Sequence, residues 1–82
     1  MAASHDLEFV KVELKTGLTF SNIALQAKDA TKISRNTMNA RKAYDTLLRF
    51  LDRSALSDQD LADVEKSLAK LKANLLLLGE AV

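Results

Sequence analysis

The chain has no cysteine, proline or tryptophan, two glycines and one histidine. Without cysteine there is no disulfide framework, thiol nucleophile or Cys-ligated metal, a pattern that fits any redox compartment. Without proline, and with glycine confined to Gly17 and Gly79, little interrupts long helices, and nothing suggests a β-rich fold. The histidine, His5, falls in a stretch, Met1 to His5, expected to be a frayed tail, where it cannot be held for proton transfer. There is no Gly-rich phosphate loop, no serine with a usable base nearby and no paired aromatics for stacking on bases. Asp58, Asp60, Asp63 and Glu65 are dense but lack the glycine turn and loop length of an EF-hand, and helix-start electrostatics accounts for them. The expectation is a non-enzyme with no cofactor and no metal. The N-terminus lacks the basic start and apolar run of a signal peptide, and Leu75 to Leu78 is far short of a membrane span, so a soluble, cytoplasmic protein without membrane contact is expected.

What the chain does have is apolar periodicity. Its 82 residues are 48% apolar and 28% charged, which reads as one globular helical domain over residues 1–82. A chain this short buries only about 60% of its unfolded surface, and self-association is a usual remedy. The organising stretch is Leu7 to Ala30. At helical spacing Leu7, Val10, Leu14, Leu18 and Leu25 form one stripe, while Phe9, Val12, Phe20, Ile23 and Ala27 form a second on nearly the opposite side. Gly17 and Ala24 bridge the two along one flank. A glycine in mid-helix costs about 1 kcal/mol relative to alanine, so Gly17 is expected to lie against another helix. Asp6 is placed as the cap or first-turn acid of this helix.

A turn or frayed join is expected at Asp29 to Ser34, although no Gly or Pro enforces a break, and one long bent helix across residues 29–36 is left open as the alternative. A second amphipathic helix places Ala40, Ala43, Tyr44, Leu47, Phe50 and Leu51 on one face, with Tyr44 in the core. The third starts at Ser57, whose hydroxyl should accept from the amide of Asp60, and ends at Gly79. Along it Leu61, Val64, Leu68, Leu71, Leu75 and Leu78 make a seam with spacings of three and four. The expected architecture is all-α, a three-helix antiparallel bundle or a helical-hairpin array, with helices near residues 7–30, 34–53 and 58–78.

Two fragments resemble tetratricopeptide (TPR) helical hairpins. Gly17 with Phe20 is similar to the family's Gly-x-x-Tyr in a first helix, and Ala40, Tyr44 and Leu47 to its Ala-x-x-x-Phe-x-x-Ala in a second. The Trp and Pro positions of that repeat are unfilled, and Gly17 and Ala40 stand farther apart than the family spaces them. The resemblance implies a scaffold that binds protein segments and carries no catalysis.

Charge divides the chain. Residues 1–30 carry three Lys against four acids, residues 31–54 six Lys and Arg against two Asp, and residues 55–82 three Lys against five acids. Two functions follow. The preferred one is self-association as a homo-oligomer, or binding of a protein partner, through Phe9, Phe20 and Ile23 or through the apolar chain end at Leu76 and Leu77. The alternative is an anion- or nucleic-acid-binding module using Lys32, Arg35, Arg41, Lys42, Arg49 and Arg53; it is disfavoured because Asp45 and Asp52 interrupt these cations, which from the sequence face several directions.

Overall fold

A computed structural model describes residues 2–82, with side chains from His5 onward. Three helices account for most of them: α1 (Ala2–Gln26), α2 (Ala30–Leu51) and α3 (Asp58–Leu77). No strand occurs among the described residues. The helices run up, down and up in a rod 43 Å long and 17 Å across. Facing residues fix the directions. Phe9 meets Phe50 and Gly17 meets Ala43, so α1 and α2 are antiparallel; Gly17 meets Leu71 and Ser21 meets Asn74, so α1 and α3 are parallel. Both other helices pack chiefly on α1, and α2 and α3 touch each other least.

Helix ends follow local chemistry. Asp29 caps α2, its carboxylate accepting from the Lys32 amide at 2.9 Å, so the break falls at residues 27–29 and α2 begins four residues before the expected Ser34. Two separate antiparallel helices replace the single bent helix that the sequence left open. At the other end, α1 starts at Ala2 rather than Leu7, taking in most of the stretch expected to fray. Asp6 is therefore inside the helix and does not cap it; its carboxylate instead accepts from the Ala55 amide at 3.3 Å, tying α1 to the α2–α3 connection. Ser57 caps α3 as its sequence indicates, accepting from Asp60 at 3.2 Å. Gly79, at φ 89°, ends α3: the Glu80 amide reaches the Leu75 carbonyl and the Gly79 amide the Leu76 carbonyl, the paired bonds of a Schellman turn.

The core joins Val10 and Leu14 of α1, Ala40, Tyr44 and Leu47 of α2, and Val64, Leu71 and Leu75 of α3. On α1 the buried residues are Val10 and Leu14, from the first apolar stripe, and Gly17, Ser21 and Ala24 beside them. Leu7 and Leu18 of the first stripe and Phe20 of the second pack against this core, while Val12 and Ile23 of the second stay exposed. A Cβ on Gly17 would stand 2.7 Å from Leu71 Cδ2 and 3.3 Å from Ala43 Cβ, so glycine here permits both neighbours to close on α1 at one level.

Candidate functional site

The uncovered part of α1 is a second helical seam. Phe9, Val12, Thr16, Thr19 and Ile23 recur at spacings of three and four, as residues do when they pack against a helix. Val12 is 58% exposed, Phe9 40% and Ile23 36%. Phe20, expected on this face, is half-buried and packs against the core. Leu76 and Leu77 are exposed but belong to the C-terminal end of α3, which packs on the inward side of α1. They do not share a surface with Phe9, whose ring lies 4.6 Å from that of Phe50 at the opposite end of the rod.

α2 carries a row of positive charge on its exposed side. Lys32, Arg35, Lys42 and Arg49, spaced three, seven and seven residues apart, fall on one side of the helix, and Arg53 lies in the turn just past its end. Lys32 shares a surface hollow with Ile23, Gln26 and Ala27 of α1, whereas Arg35 lines a hollow with Thr31, Ser34 and Met38 on the outer face of α2. All five cations are exposed, and among the described residues none is in an ion pair. The structure thus aligns four cations that the sequence reading scattered. The sevenfold spacing of Arg35, Lys42 and Arg49 carried that signal, as the spacing of Val12, Thr16 and Thr19 did for the seam.

Arg41 is the exception among the six expected cations. Its Nε donates to Asp45 Oδ1 and its Nη1 to Glu80 Oε1, both at 3.1 Å, on the side of α2 away from the others. The hydrogen bond it donates to Asp45 chiefly raises its pKa above the ordinary arginine value, against a smaller opposing effect of desolvation, with Glu80 adding to the rise. Arg41 is committed to holding the chain past Gly79 and is not a member of the basic row. Beside it an open groove of about 430 Å³ separates Ile33, Thr37 and Met38 from Leu78 and Glu80. The polar atom at its wall, Thr37 Oγ1, is shut in and has no hydrogen-bond partner among the described residues, so a molecule in the groove would not reach it.

The inward side of α1 carries its own polar key. Asn74 Nδ2 donates to Ser21 Oγ at 3.0 Å and to Asn22 Oδ1 at 3.2 Å, while Ser21 Oγ donates to the Leu18 carbonyl at 3.1 Å. Ser21 is fully buried, and its second partner comes from α3, which fixes the register of the two helices. No group of three or more His, Cys, Asp or Glu that could hold a metal occurs among the described residues, and no described helix is long and apolar enough to cross a membrane. Comparison with known families, curated proteins and solved structures finds no match to this chain.

Proposed function

We propose that this chain is a non-catalytic interaction protein whose working surface is the open face of the α1–α2 hairpin. The observation that carries this reading is the seam of Phe9, Val12, Thr16, Thr19 and Ile23, which has the spacing of a helix-packing surface and is left uncovered by α2 and α3. A partner laid there would bury apolar area that the monomer keeps in water, while the core of the bundle stays closed. The resemblance of Gly17 with Phe20, and of Ala40, Tyr44 and Leu47, to tetratricopeptide hairpin positions points the same way.

Val12 is the residue to change, because it is more than half exposed and stands outside the core. Proximity labelling in the native cell should yield a set of neighbours with the wild-type chain that Val12→Glu loses, with unchanged helical circular dichroism. An identical set for both proteins would remove the open face as the working surface. A second reading is favoured by the alignment of Lys32, Arg35, Lys42 and Arg49: this row could hold a polyanion. In that case a mobility shift on duplex RNA or DNA should weaken steeply with salt and be insensitive to Val12→Glu.

A further inference from the structure

We propose that residues 79–82 form a releasable strap on the α2–α3 side of the bundle, hinged at Gly79 and latched by Glu80 on Arg41. α2 and α3 touch each other least of the helix pairs, and the segment past α3 reaches across to α2. Glu80 Oε1 accepts from Arg41 Nη1 at 3.1 Å, and Val82 packs half-buried against the core. Gly79 supplies the joint, at a φ of 89° that other residues rarely adopt. The turn it makes is held by the amides of Gly79 and Glu80 on the carbonyls of Leu76 and Leu75.

Three features make the closed position easy to leave. The latch is a surface pair, its side chains 34% and 32% exposed, so it is weak and screened by salt. Arg41 also loses little on release, because its Nε stays on Asp45 Oδ1 one turn along the same helix. The guanidinium thus keeps a carboxylate in either position of the strap.

The third feature is a buried group that the closed position leaves unmatched. Thr37 is 8% exposed and lines the groove of about 430 Å³ together with Arg41, Leu78 and Glu80. Its Oγ1 is shut in with no hydrogen-bond partner among the described residues, which is costly for a hydroxyl. Lifting the strap removes Glu80 from the groove wall and admits water toward that hydroxyl, so opening relieves a cost that closure imposes. Val82 and the two turn bonds oppose it. The result is an element with two positions, one of which deepens the groove toward Thr37 while the three helices stay folded.

The test is native-state hydrogen exchange on the full chain, read as protection of the Gly79 and Glu80 amides, with the amide of the fully buried Leu75 as the measure of global unfolding. The strap amides should exchange through an opening that low urea does not accelerate, while Leu75 follows the urea dependence of global unfolding. Glu80→Gln should lower strap protection about threefold, and Glu80→Lys, which sets a cation against Arg41, about fivefold or more. Raising salt from about 0.05 M to about 1 M should act as Glu80→Gln does, and should have no further effect in that variant. Thr37→Val removes the unmatched hydroxyl and should raise strap protection about fivefold. Circular dichroism of each variant establishes that it is folded. Strap amides that exchange only with global unfolding, or a local opening indifferent to salt and to Glu80→Lys, would overturn the strap. A local opening that responds to Glu80→Lys but not to Thr37→Val would overturn the deepening of the groove and leave only a latch at the chain's surface.

Discussion

α1 carries two seams with the same three-and-four spacing. The inward one is Val10, Leu14, Gly17, Ser21 and Ala24; the open one is Phe9, Val12, Thr16, Thr19 and Ile23. Their contents differ in kind. The inward seam narrows to glycine, serine and alanine, lets α2 and α3 approach at the level of Gly17, and adds the directed bond from Asn74 to Ser21. The open seam keeps aromatic and β-branched residues and has no buried polar group to demand a particular register. Close fit specifies one partner and one alignment, whereas a bulky apolar row accepts a class of partners. The chain thus keeps its close-fitting seam for its own helices and leaves the bulkier one open.

Substitutions on the two seams should separate by size. The largest effect is expected from Leu71→Ala, which empties a fully buried position against Gly17 and should destabilise by about 3 kcal/mol in urea melts, whereas Val12→Ala should change stability by less than about 0.5 kcal/mol. Equal losses at the two sites would abolish the distinction between closed and open sides. Gly17→Ala sets about 1 kcal/mol of helix propensity against an overpacking cost of about 1–3 kcal/mol, and with Ala43 and the buried Leu71 as neighbours the net should be destabilising by about 1 kcal/mol. A stabilised Gly17→Ala protein would show that the approach of the helices is not tight.

Ser57→Ala should weaken α3 by about 1 kcal/mol through the loss of its cap, touching neither seam. A midpoint identical to wild type would mean that α3 does not depend on that hydroxyl. Smallest of all, Val12→Glu should shift the unfolding free energy by no more than about 0.5 kcal/mol. A loss of several times that amount would place Val12 in the core and close the open side of the comparison.

Much of this architecture is legible in the sequence where a local rule suffices. The α3 seam, its Ser57 cap and its Gly79 stop each depend on residues within a few positions of one another, and the close contact at Gly17 follows from the cost of glycine in a helix. The α1–α2 break is local too, yet Asp29 marks it with a side-chain cap and no Gly or Pro, so helical periodicity runs on past it. What escapes the sequence is long-range. Asp6 reaches Ala55, Arg41 reaches Glu80 and Asn74 reaches Ser21, pairings that exist only once the helices are side by side. The same holds for the two apolar stripes of α1: their spacing shows where they lie around the helix, but only packing reveals that Val10 and Leu14 of the first are buried with Gly17 and Ala24 while Val12 and Ile23 of the second stay exposed.

The three-residue link at 27–29 has a kinetic corollary. Joining two antiparallel helices through so short a loop keeps the entropy of closure low, so the α1–α2 hairpin is the unit whose native contacts can form earliest, while the parallel alignment of α3 on α1 must wait for the chain to travel back along the full rod. In a chevron analysis a truncation on the α1–α2 side, such as Leu47→Ala, should chiefly slow refolding, and Leu71→Ala should chiefly quicken unfolding. The hairpin that presents the open face would then take shape before the helix that completes the core.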